Sequence, residues 1–105
     1  MFARKFRLPS SQAFENARML HTPLFVLKVV SNNLTYNRYG FVSAKSIDKR
    51  AVVRNRLKRR VRAVVEGVHE KLKQGNDLLF ILRKEGVEMD AGEIKKIIEQ
   101  ALTNF

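Results

Sequence analysis

Residues 50–73 of this chain place valine or leucine at 53, 57, 61, 64, 65, 68 and 72, amid a run of arginine and lysine. At about 100° per residue, Val53, Leu57, Val61, Val64 and Val68 fall on one narrow stripe, with Val65 and Leu72 at its edge. The segment therefore predicts an amphipathic helix with one face in a core. On the same wheel Arg54, Lys58 and Arg62 form a row beside the stripe, and Arg59 lies opposite it. Arg56 and Arg60 occupy the other flank, with Asn55 between the groups. A chain carrying such a helix must supply an apolar surface for the stripe to cover.

Like charges three and four residues apart on a helix repel by roughly 0.2–0.5 kcal/mol per pair, and a polyanion would offset that cost. Five of the six cations named on the exposed face are arginine. A planar guanidinium gives phosphate two parallel hydrogen bonds and stacks on bases, whereas lysine acts as a point charge. A merely solvated face would mix both signs. The whole chain has the same bias, with 21 Lys+Arg against 10 Asp+Glu, a net charge of +11 and a pI of about 10.6. Nucleic acid is the predicted partner.

The 105 residues make one domain, residues 1–105, with a single modest core. No apolar run approaches the ~18 residues of a membrane span, and the first residues have neither the apolar region nor the cleavage site of a signal peptide. The expectation is a soluble cytoplasmic protein with no membrane contact. Absence of cysteine excludes disulfides, thiolate metal sites and cysteine nucleophiles.

Around the basic helix the chain reads in order. Residues 1–8 are a basic arm, Arg4, Lys5 and Arg7 among Phe2, Phe6 and Leu8, that could stack bases, although core packing suits Phe6 better. Pro9, Ser10 and Ser11 give a helix-start signal, and Ala13, Phe14, Ala17 and Leu20 recur at helical spacing, so residues 11–20 predict a short helix ended by Pro23. Residues 24–31 are rich in β-branched side chains and predict a largely buried strand with one charge, Lys28. Residues 38–44 predict a second strand, paired with the first as an antiparallel hairpin. A polar loop at 45–49 leads into the basic helix. Residues 77–83 make the most apolar strand, expected at the centre of the sheet or covered on both faces. Asp90 and Glu93 have capping-box spacing ahead of a closing helix, to about 104, whose apolar face is Ile94, Ile97, Ile98, Ala101 and Leu102. The predicted fold is an α/β (α+β) two-layer sandwich, with helices on a small mixed sheet.

No catalytic site emerges from this inventory. His21 and His69 are the only histidines, and His69, between Glu66 and Glu70, reads as a surface polar residue. No spacing suits a metal, carboxylates occur singly or on helix surfaces, and the glycines form no phosphate loop. Catalytic residues and protein-bound metal or cofactor are both expected to be none.

The segment Ala51-Val52-Val53-Arg54-Asn55-Arg56-Leu57-Lys58-Arg59-Arg60-Val61-Arg62 closely resembles the arginine-asparagine-arginine signature of the protein subunit of bacterial ribonuclease P. The resemblance extends back through Lys45, residues 38–41, Phe25-Val26-Leu27, Phe14 and Arg7-Leu8, and forward to residues 77–84. It implies a ribosomal-protein-like fold whose βαβ unit has a left-handed crossover, against the usual rule. It also implies an endoribonuclease subunit whose partner, the ribonuclease P RNA, carries the active site with Mg²⁺. The protein would help that RNA bind precursor tRNA and remove the 5′ leader, with no protein partner required. By resemblance Arg54, Asn55, Arg56, Lys58, Arg59, Arg60, Arg62 and Lys45 would bind RNA, and a cleft between the sheet and the first helix would hold the leader at Phe14. Arg18 and Lys28 stand where many relatives have aromatics, so the cleft is expected to include both and to rely more on charge. The loop at residues 47–50 is longer than in relatives and lacks their glycine. The alternatives are a structural rRNA-binding ribosomal protein and a DNA-binding nucleoid protein, which the charge would equally allow.

Overall fold

The computed structural model describes residues 3–9, 14 and 16–103. Four strands, β1 (Arg18–His21), β2 (Phe25–Ser31), β3 (Arg38–Val42) and β4 (Asn76–Leu82), form one mixed sheet in the order β1-β2-β4-β3. Helices α1 (Ala51–Val68) and α2 (Ala91–Thr103) pack against each other and share one core with the sheet. The two-layer α/β expectation holds, and the most apolar strand, β4, is central.

The core follows from strand and helix periodicity. Phe25, Leu27 and Val29 of β2 alternate into it, as do Leu78, Phe80 and Leu82 of β4. Leu57, Val61 and Val65 of α1, four residues apart, cover them; Val53, one turn earlier, is buried toward the turn at Lys84–Glu88, and Val64 and Val68 are only partly buried. The expected stripe is thus rotated slightly toward Val65. Ile94, Ile98, Ala101 and Leu102 of α2 close the layer. Asp90 caps this helix, its Oδ1 accepting the Glu93 N–H at 2.8 Å.

Three expectations are corrected. The segment predicted as helix 11–20 ends instead in strand β1; residues 10–13 and 15 lie outside the described residues. Thr22 Oγ1 accepts the Leu24 and Phe25 N–H groups, and Thr22 N–H donates to the Phe25 carbonyl, closing a turn through Pro23 that folds β1 back along β2. The proline initiates a turn between strands rather than stopping a helix. Next, β2 does not pair with β3. β4 lies between them, antiparallel to β2 and parallel to β3, with α1 making the crossover from β3 to β4. The connection at residues 32–37 is too long for a tight hairpin. It is fastened instead to the start of β4, where Asn32 Nδ2 donates to Asp77 Oδ1 (2.9 Å) and Asn37 Oδ1 accepts the Asn76 N–H (2.8 Å). Finally, His69 is not simply a surface residue. It is partly buried at the end of α1, with its ring 5.1 Å from Phe6 and 6.1 Å from Tyr39.

The amino-terminal arm runs along the outer edge of β3. A 3-10 turn at Arg4–Phe6 leads to a parallel bridge between Arg7 and Tyr39, and the Leu8 N–H donates to the Tyr39 carbonyl at 2.9 Å. Leu8 then lies over Gly40, where a Cβ would come 3.0 Å from its Cδ2. Gly40 thus lets the arm settle on the face of the sheet away from the helices.

Candidate nucleic-acid interface

Eighteen residues of α1 give a rod about 27 Å long, and the sheet beneath it fixes which side chains point outward. Asn55, Arg56, Arg59 and Arg60 are exposed, as are Arg50 just before the helix and Lys45 in the turn closed by Ile47 N–H and the Ala44 carbonyl. Val52, 60% exposed, stands among them. Arg54, Lys58 and Arg62 are partly buried, because their row leans toward β3. The Arg62 guanidinium carbon lies 5.5 Å from the centroid of the Phe41 ring. Within the described residues no carboxylate pairs with Arg56, Arg59 or Arg60.

The entry to α1 is built by Asp48. Its carboxylate accepts the Arg50 backbone N–H (2.8 Å), Arg50 Nε (3.0 Å) and Arg50 Nη2 (2.9 Å). These bonds from the Arg50 side chain and backbone hold the Asp48 carboxyl down to about 2. Arg54 Nη1 donates to the carbonyls of Asp48 (2.7 Å) and Lys49 (3.1 Å), so part of its guanidinium clamps the loop. The sequence assigned Arg54 to RNA alone and left out Arg50. Only the folded loop shows the first holding the backbone and the second standing at the rim.

On the flank of Arg56 and Arg60, a groove of about 220 Å³ runs between α1 and the 3-10 turn at Lys84–Glu88. Arg50, Val52, Arg56, Arg60 and Val87 line it. Gly86 lets the turn come this close, since a Cβ there would sit 2.6 Å from Leu24 Cδ1 and 3.2 Å from Leu57 Cδ1. Nothing in the spacing of residues 84–88 announced that wall.

Of the residues expected in a leader cleft, Arg18 and Lys28 are not brought together. Lys28 is partly buried on β2, paired with Met19 on β1 and Leu79 on β4; Arg18 is exposed on β1, paired with Val29. Directly paired residues share a face, so Lys28 lies on the face away from the helices and Arg18 on the helix side. Phe14 is partly buried. The face bearing Lys28 is an apolar floor of Val26, Leu79 and Ile81, with Met19 and Val42 exposed at opposite edges.

Among the described residues no three histidine or acidic side chains gather where they could hold a metal ion. Asp77 is bound by Arg38 and Asn32, Asp48 by Arg50, and Asp90 caps α2. No described helix is long and apolar enough to cross a membrane.

Known proteins share both the sequence and the fold of this chain. The family model described as Ribonuclease P matches residues 2–105. The ribonuclease P protein component of Syntrophomonas wolfei is 33% identical, the alignment covering 91% of this chain and 89% of that protein. That of Caldanaerobacter subterraneus is 32% identical over 87% of this chain and 78% of its own. Among solved structures, the RNase P protein of Thermotoga maritima superposes with a TM-score of 0.79 at 27% identity, covering 88% of this chain and 89% of that one. The Staphylococcus aureus protein shares the fold with a TM-score of 0.81 at 22% identity, covering 93% of each chain. With the family model spanning residues 2–105 and a relative 33% identical over nine-tenths of the chain, the chain belongs to the ribonuclease P protein family and is a subunit of that endoribonuclease.

Proposed function

We propose that this chain binds the catalytic RNA of ribonuclease P through the exposed side of α1. The observation that carries this reading is the display of Asn55, Arg56, Arg59 and Arg60 on a helix whose opposite stripe is locked in the core. The helix backbone is already ordered by the core, so binding has only the freedom of the exposed side chains left to restrict, and the planar guanidinium loses less of it per hydrogen bond formed than a lysine would. Lys45, Lys58, Arg62 and the remaining donors of Arg54 extend the contact. Catalysis would belong to the RNA, with its Mg²⁺; the described carboxylates are dispersed or already engaged and do not suit a metal.

The same reading gives the protein the 5′ leader of precursor tRNA, held on the sheet face that bears Lys28, with Phe14 assigned to it by the family resemblance alone. An unpaired strand offers flexible phosphates and exposed base faces, which a lysine on an apolar floor can meet by charge and by contact. The setting would be the cytoplasm, and no protein partner would be needed. The test is reconstitution. Adding the chain to ribonuclease P RNA and precursor tRNA at low Mg²⁺ should raise cleavage at the mature 5′ end. Cleavage no better than with an equally basic control protein would overturn the reading.

A further inference from the structure

At the far end of α1, roughly 20 Å along the helix from Arg56, the amino-terminal arm builds a second cationic surface that the signature does not include. The arm is held by the fold. Phe6 and Arg7 N–H groups close its 3-10 turn on the carbonyls of Ala3 (3.0 Å) and Arg4 (3.2 Å), and the Phe6 ring packs against His69 and against Tyr36, 5.8 Å away and nearly perpendicular. Arg4 and Lys5 are thereby fixed on the exterior, both exposed. The Lys5 ammonium stands 5.0 Å from the centroid of Phe6 and 5.3 Å from that of Tyr36. Tyr36 keeps part of its surface open. Neither the arm, residues 3–9, nor the connection at residues 32–37 contains a carboxylate; the acidic residues flanking His69 are Glu66, in the last turns of α1, and Glu70, just after it.

We infer that Arg4, Lys5 and Tyr36 form a separate contact for single-stranded RNA, in which one base stacks on the Tyr36 ring and the flanking phosphates lie on Lys5 and Arg4. Phe6 packs perpendicular to the Tyr36 ring, which keeps part of its surface exposed for a base to stack on. The Lys5 ammonium, poised over both rings, is placed beside the phosphate of a stacked nucleotide. The site is distinct from the Lys28 face, because Phe6 turns toward the helix layer while Leu8 turns to the opposite side of the sheet. This inference rests on the chain being an RNA binder, but not on the signature helix being the surface that binds.

Tyrosine fluorescence reads the contact directly. The chain has two tyrosines and no tryptophan, and Tyr39 is only 3% exposed, so Tyr36 is the emitter that a ligand can reach. Titrate a short oligouridylate, and an inorganic polyphosphate of matched charge, into the full chain and into its Arg56→Ala/Arg60→Ala variant. The oligouridylate should quench emission in both proteins and the polyphosphate in neither. Lys5→Ala should weaken the quench severalfold, and Tyr36→Leu, which keeps an apolar side chain against Phe6, should weaken binding of a labelled oligouridylate by roughly five- to 150-fold. Quenching by both probes alike, quenching lost in the Arg56→Ala/Arg60→Ala variant, or no quenching at all would each overturn the site. Failure of the signature reading would show separately, as undiminished affinity of Arg56→Ala/Arg60→Ala for ribonuclease P RNA.

Discussion

Arg18 and Lys28 stand on opposite faces of one sheet, because Arg18 pairs with Val29 while Lys28 pairs with Met19. A leader lying on the Lys28 face therefore meets one of these cations and not the other. Lys28→Ala should reduce the affinity gained from a leader of several nucleotides, and Arg18→Ala should leave that gain unchanged. Holoenzyme affinity for precursor tRNA with and without the leader checks both, and equal losses in the two variants would argue against the assignment of faces.

That relationship also marks where sequence reading stopped. The long elements were legible, since α1, β4 and α2 each carry an apolar pattern that local geometry alone can satisfy. β1 was not. Its four residues are too few for alternation to show, and Ala17 and Leu20 fit a helical spacing that would have put Phe14 and Arg18 on one face. Sheet order was equally hidden, because the insertion of β4 between β2 and β3 depends on contacts distant in sequence, such as Asn32 with Asp77, 45 residues on, and Arg38 with Asp77, 39 residues on. At the site, the arginines were found by composition and periodicity. Their division of labour was not, since Arg54 reaches back to carbonyls whose position only the folded loop defines.

The Arg38–Asp77 pair should matter for stability more than any surface pair. Asp77 is fully buried and receives Arg38 Nε and Nη2 at 2.8 Å each, a two-pronged contact that also raises the Arg38 pKa. Arg38→Ala leaves a buried carboxylate with Asn32 as its one remaining side-chain donor, and should cost about 3 kcal/mol, near the lower end for breaking a buried pair. Arg38→Lys keeps the charge but loses the fork, and should fall between the variant and the parent. Urea denaturation midpoints with unchanged slopes would measure both.

Asp48 predicts an acid-sensitive entry to α1. Its folded pKa, about 2, lies below the ordinary value of 3.8, so the stabilisation it gives is present above about pH 4 and is lost as pH falls toward 2. Asp48→Asn should be less stable than the parent at neutral pH, and the difference should shrink across that acid range. A difference that stays constant through it would mean that the Arg50 contact contributes nothing through charge.

The most direct test of the account is the salt dependence of binding to ribonuclease P RNA, comparing the parent with Arg56→Ala/Arg60→Ala. Both side chains are exposed and make no described internal contact, so the variant should fold with unchanged stability. If each arginine neutralises one phosphate, affinity should fall and the slope of log affinity against log salt should flatten by roughly 1.4–1.8 units. An unchanged slope and affinity in a folded variant would contradict the claim that this face of α1 holds the RNA.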